Sequence, residues 1–242
     1  PIQGTGIAVF GGHAVIGGGA AADMNVIGGN SAGIRIGSIA PGSGVLVQGN
    51  LIGTAPDGLV ARPNQLGIDA VTATEIPGIV IGGNQPDHRN VVSGNSADGI
   101  RFSCTAISAN CFDGASVQGN FIGLAVDAAA LGNGGVGIVL SQMTAGLVQI
   151  GGVSPGAGNL IAFNTGDGIR ATNFSGTAHA SFLANEILGN GGQAIDLASE
   201  AKTLTLPELE HMHIHKTGAL IRAAVLLGAR CGSKLSVAEL DG

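Results

Sequence analysis

Between Gly33 and Ile195 the apolar residues come in runs of three to five, often alternating with polar ones, and each run is closed by Gly, Asn, Asp, Ser or Pro. Runs of that length and period predict short strands rather than helices. The dipeptide Gly-Ile recurs at Gly33-Ile34, Gly67-Ile68, Gly99-Ile100, Gly137-Ile138 and Gly168-Ile169, with Ala194-Ile195 as a last variant, at intervals of 34, 32, 38, 31 and 26 residues. A longer unit overlies it: Asn25-Val-Ile, Asn90-Val-Val and Asn159-Leu-Ile lie 65 and 69 residues apart, and each precedes a Gly-Ile-Arg. Between them, Val47 to Gly53 and Val117 to Gly123 match at six of seven positions. A short strand cannot bury its apolar side alone, so repeats of this kind are expected to stack as successive coils around one shared interior.

Asn and Gly at the boundaries suit sharp corners, because both tolerate left-handed backbone and the Asn amide can bond along a stack. Asn50, Asn120, Asn159 and Asn190 are therefore expected to form structural ladder or turn positions.

The strings "NVVSGNSADGIRF", "GNLIGTAPDG" and "LGNGGVGIVL" resemble the repeats of right-handed parallel β-helix proteins of the pectate-lyase-like superfamily, over roughly residues 20–197. The resemblance implies an all-β fold, a right-handed single-stranded parallel β-helix over 1–197. Residues 198–242 are expected to form a short α-helical C-terminal segment. The resemblance also implies an extracellular or cell-surface setting, although the chain carries no recognisable signal peptide.

After Asn190 the composition changes. All three lysines, Lys202, Lys216 and Lys234, follow it, and all seven Phe precede it. Thr205 and Glu208 have capping-box spacing, and two apolar helical faces follow, so these helices are expected to lie over the end of the stack. The segment Gly191 to Ala229 resembles the stretch of bacterial farnesyl and other short-chain isoprenyl diphosphate synthases that carries their Gly-Gln-x-x-Asp and His-Lys-Thr-Gly motifs. That resemblance places Gln193 and Asp196 near a substrate site and Lys216 and Thr217 on the diphosphate of the allylic substrate. The family's aspartate-rich motifs hold the magnesium ions that neutralise the leaving group, and no Asp-Asp pair occurs in the 242 residues. A synthase fragment of this kind is expected to be inactive. Because "GNGGQAIDL" satisfies both resemblances at once, the chain reads as a chimera joined at that string.

Gly contributes 44 residues, Trp and Tyr are absent, and charged residues make up 11%, which suits many short strands with tight turns. A net charge of −6 without a basic, aromatic-laced stretch argues against nucleic acid. The apolar run Ala219 to Ala229 is interrupted by Arg222 and too short to cross a bilayer, so no transmembrane segment is expected. Cys104 and Cys111 bracket a short loop and either pair in an oxidising compartment or serve as two small buried or turn residues.

Arg35, Arg101 and Arg170 occupy equivalent repeat positions, with Asp98 and Asp167 three residues before the last two. Stacking would align them as an outward row able to meet an acidic polysaccharide or, with Arg101 or Arg170 as base, to cleave or epimerise a polyuronate. The alternative is a solvated face with Asp as a turn residue before Gly. His211, His213 and His215 alternate at a spacing compatible with a metal, but no carboxylate or Cys completes a shell, and no metal or cofactor is expected. The function expected is a non-catalytic β-helical structural or binding module, contacting polysaccharide or another surface protein. A carbohydrate-active enzyme is the alternative.

Overall fold

A computed structural model describes residues 4–37, 43–76, 78–105, 111–143, 145–174 and 177–197. The expected C-terminal helices, the histidine triplet, Lys216 and Thr217 lie outside these residues. The described chain is a parallel β-helix with three flat faces. The first face lays Thr5–Val9, Ala32–Ile36, Leu66–Thr72, Ile100–Cys104, Ile138–Ser141, Ile169–Thr172 and Ile195–Asp196 side by side in chain order. The second holds Ala14–Gly17, Val45–Gln48, Ile79–Gly82, Ala115–Gln118, Ala145–Gly151 and Thr177–Leu183. The third holds the short strands Val26–Ile27, Leu51–Ile52, Val91–Val92, Phe121–Ile122, Leu160–Ala162 and Glu186–Leu188. Each coil visits the three faces in turn, giving six coils and the start of a seventh. The two short helices described, Ala21–Asp23 and Pro86–His88, are single 3₁₀ turns at corners.

The Gly-Ile repeat is the register mark of the first face. Ile7, Ile34, Ile68, Ile100, Ile138, Ile169 and Ile195 are successive pairing partners. Because strand side chains alternate sides, this column points inward, as does the one two residues on, from Ile36 through Phe102 to Leu140. With Val47, Ile81, Val117 and Ile150 from the second face and Ile52, Ile122 and Ile161 from the third, they fill one aliphatic interior, fully buried through the central coils. Ile7 and Val9 at one end and Ala180 and Phe182 at the other are only partly buried, since each has a described coil on one side alone. Phe102 and Phe112 meet edge to face with centroids 5.1 Å apart. Beside them Cys104 and Cys111 form a disulfide, their Cα atoms 5.7 Å apart.

Two asparagine columns run along the corners that flank the third face. In one, the amides of Asn25, Asn50, Asn90, Asn120 and Asn159 donate to Oδ1 of the next member, ending at Asn185, at 2.8–3.0 Å. In the other, Asn30, Asn64, Asn95, Asn133 and Asn164 do the same, ending at Asn190. Asn50, Asn120 and Asn159 thus share one column, and Asn190 belongs to its neighbour. The amide of each buried member also donates to a backbone carbonyl of the preceding coil, as Asn120 does to Ile81 and Asn159 to Val117. Nothing larger than glycine fits some of these corners. At Gly123 φ is +89°, and an added Cβ would stand 1.9 Å from the Ala162 carbonyl of the next coil.

The spacing along the first column alternates, at 25, 40, 30, 39 and 26 residues, and the fold explains the longer two-coil unit. Odd coils enter the third face through long loops, such as 83–89, whereas even coils use the tight Gly49 and Gly119. The second and fourth coils leave it through small hairpins closed by the pairs Thr54 with Ala61 and Leu124 with Ala130.

Candidate functional site

On the first face, the residue directly after each repeat isoleucine points outward. The column reads Ala8, Arg35, Asp69, Arg101, Val139, Arg170, Asp196. The arginines therefore do line up, two coils apart each time. They are interleaved with two carboxylates, Asp69, which no sequence motif singles out, and Asp196, which the synthase resemblance places near a substrate instead.

Asp69 sits between two of the arginines and is 1% exposed. Its Oδ1 accepts from Arg101 Nε at 2.9 Å, and its Oδ2 lies 3.9 Å from Arg35. Burying a carboxylate is costly unless it is paired, and here one buried anion anchors two cations whose side chains stay partly exposed. Arg170 is held differently. Its Nη2 lies 2.6 Å from Asp167 Oδ2 within the same coil, and its Nε is 3.6 Å from Asp196 Oδ2 in the next. Val139 separates the two clusters.

Asp98 and Asp167 occupy one further equivalent position, and both reach to the following coil. Asp98 Oδ1 accepts the Val136 N–H at 2.9 Å, and Asp167 Oδ1 accepts the Gln193 N–H at 2.7 Å. The approach is close enough that a Cβ on Gly135 or Gly192 would fall 2.3 or 2.1 Å from these oxygens. Each Asp thus serves as a clamp onto the next coil's Gly-Gly corner. Gln193 contributes its backbone here and its side chain is exposed, while Asp196 is the partner of Arg170. The structure therefore gathers Asp167, Arg170, Gln193 and Asp196 in one place, and Arg101 with Asp69 and Arg35 in another; Asp98 stands at the corner beside the latter.

Asp69, a residue the sequence does not single out, and Asp196, expected only near a diphosphate substrate, both carry a signal for this row. They follow Ile68 and Ile195 as Arg35 follows Ile34, so the repeat alignment alone places them in the arginine row. Among the described residues no group of three His, Cys, Asp or Glu is placed to hold a metal ion, and no helix is long and apolar enough to cross a membrane.

No family model matches the chain, and no solved structure matches it. Short matches exist to curated proteins. The farnesyl diphosphate synthase of Escherichia coli (strain K12) is 67% identical over 39 residues, 16% of this chain and 13% of that protein. That of Micrococcus luteus is 66% identical over 35 residues, 14% and 12% of the two chains. The geranylgeranyl diphosphate synthase of Cyanophora paradoxa is 65% identical over 40 residues, 16% and 13%. This chain spans 12–13% of the length of these three relatives.

Proposed function

We propose that the β-helix is a rigid structural and binding module, secreted or displayed at a cell surface, whose arginine-bearing face takes an acidic polysaccharide. The observation that carries this reading is the use to which the candidate acid–base groups are put. Asp69 anchors Arg35 and Arg101, and Asp98 and Asp167 clamp the next coil's backbone. These carboxylates hold coils together, which leaves the partly exposed guanidinium edges as the outward chemistry.

Guanidinium groups are cations at physiological pH and bind carboxylates through paired donors. Strands lie about 4.8 Å apart, so arginines on alternate coils present positive charge about every 9.6 Å along the axis. A polymer with regularly spaced carboxylates, lying along the rod, meets that period. Asp69 and Asp196 offset some of the charge, and the interaction is accordingly weak and salt-sensitive. The Cys104–Cys111 disulfide supports a setting outside the reducing cytosol.

Titration with polygalacturonate, against a neutral glucan as control, tests the reading. Binding is expected at low salt, with loss in Arg101→Gln. A rise in ultraviolet absorbance with calcium present would instead mark a polyuronate lyase.

The synthase-like stretch is proposed to be a fragment joined to an unrelated β-helix sequence, with 1–197 and 198–242 as separate domains. Lys216 and Thr217 are then relics of diphosphate binding, in a chain lacking the Asp-Asp pairs that hold magnesium. Sequencing the source DNA across codons 185 to 205 tests the join, and an assay with isopentenyl and allylic diphosphates is expected to show no turnover.

A further inference from the structure

The third face breaks the rule that outward strand positions on a solvated sheet are polar. Its outward column reads Val26, Leu51, Val91, Phe121, Leu160 and Glu186, apolar in five coils and acidic only in the sixth. Leu51 and Val91 are covered by the chain's own corner loops, with 6% and 4% exposure. Phe121 and Leu160 are only partly covered.

Two charges bracket this partly covered stretch, and among the described residues neither is ion-paired. The Arg89 guanidinium lies 4.0 Å over the Phe121 ring, its Nε donating to the Gly119 carbonyl at 3.1 Å. It edges a cavity of about 310 Å³ lined by Met24, Leu51, Val91, Phe121 and Val126. Two coils beyond Phe121, Glu186 is exposed and its carboxylate makes no bond to any described residue. Around it Leu188 and Phe163 remain 43% and 39% exposed.

The column thus runs from a cation at Phe121, through the apolar Leu160, to an anion at Glu186, in evenly spaced steps. Turned end for end about Leu160, it is complementary to itself. A two-fold axis there sets Leu160 on its own mate and each Arg89 opposite the other copy's Glu186. We propose that the third face is the interface of a two-fold dimer of this chain, with the two rods antiparallel. An isologous contact of this kind closes on itself and yields dimers rather than filaments. Apolar contact of Leu160 with its own mate supplies the attraction, and the reciprocal charge pairs, each formed by the Arg89 stacked on Phe121 and the other copy's Glu186, fix the orientation.

Sedimentation equilibrium of the full chain tests this. The wild type is expected to sediment as a dimer, with Glu186→Arg and Arg89→Glu each weakening association by about tenfold or more through two like-charge contacts. Mixing the two single variants is the decisive arm. In the heterodimer one contact keeps the native Arg89 and Glu186, and the other has both charges reversed, so each contact again joins opposite charges and dimer mass should return. Recovery on mixing also demonstrates that both variants are folded, and Glu186→Arg, at an exposed carboxylate bonded to no described residue, is the control for folding by circular dichroism. A monomeric wild type, a dimer indifferent to Glu186→Arg, or a mixture of folded variants that stays monomeric would each overturn the proposal.

Discussion

The backbone N–H and the side-chain amide of Asn120 both donate, at 3.0 Å, to the single Oδ1 of Asn159 one coil later. The same amide reaches back to the carbonyl of Ile81, so one side chain ties three coils together. Replacing Asn120 by Ala strands buried donors and acceptors on both neighbours. Unsatisfied buried groups cost about 1–3 kcal/mol each, so Asn120→Ala is expected to lose about 3 kcal/mol or more in urea unfolding. Asn84→Ala, at an exposed loop position, should be close to neutral.

Glycine positions divide by what surrounds them. Gly123 and Gly114 both have positive φ, but an added Cβ meets the Ala162 carbonyl at 1.9 Å in the first case and nothing within 4 Å in the second. Gly114→Ala should therefore cost only the left-handed penalty, about 1–2 kcal/mol. Gly123→Ala must also push adjacent coils away from each other, and its thermal midpoint is expected to fall several times as far as that of Gly114→Ala.

Asp69 is a buried anion with two arginine neighbours in adjacent coils. Asp69→Asn keeps the shape and removes the charge, leaving Arg35 and Arg101 to repel across the neutral position. A loss of about 1.5–3 kcal/mol is expected from hydrogen bonds to a charged group. Asp98→Asn, by contrast, weakens a bond to the Val136 N–H and should cost less. Comparing urea midpoints of the two variants separates a charge anchor from a corner clamp.

The Cys104–Cys111 disulfide closes a short loop beside Phe102 and Phe112. Peptide mapping without reductant should recover the two cysteines in one linked fragment. Reduction is expected to lower stability by about 2–3 kcal/mol, since short loops restrict the unfolded chain modestly.

Much of this architecture is legible in the residues because register and repeat coincide. Each Gly-Ile marks the same point of a coil, so the intervals between copies are the coil lengths. The two-coil unit is harder to interpret. Asn25 and Asn50 stand 25 residues apart and Asn50 and Asn90 stand 40 apart, because long corner loops alternate between odd and even coils. Local spacing therefore masks the fact that all belong to one column. The earliest coil is hidden for a similar reason, since Gly6-Ile7 precedes the next copy by only 27 residues. In the arginine row, residue type conceals what position reveals, and Asp69 and Asp196 emerge only when the repeats are aligned. The apolar outward column of the third face cannot be read from residue order. After Asn25, Asn50, Asn90, Asn120 and Asn159, two consecutive apolar residues look alike in sequence, and only pairing and burial show that Ile52 points inward and Leu51 outward.

Coil-upon-coil stacking is tested most directly by scalar couplings across the hydrogen bonds themselves, in isotope-labelled, deuterated protein. The Ile100 amide nitrogen should couple to the carbonyl carbon of Gly137, Ile138 to Gly168, and Ile169 to Ala194, each link reaching forward by one coil. Couplings from these amides to residues four positions back, or reciprocal pairs joining adjacent strands as antiparallel hairpins, would contradict the β-helix.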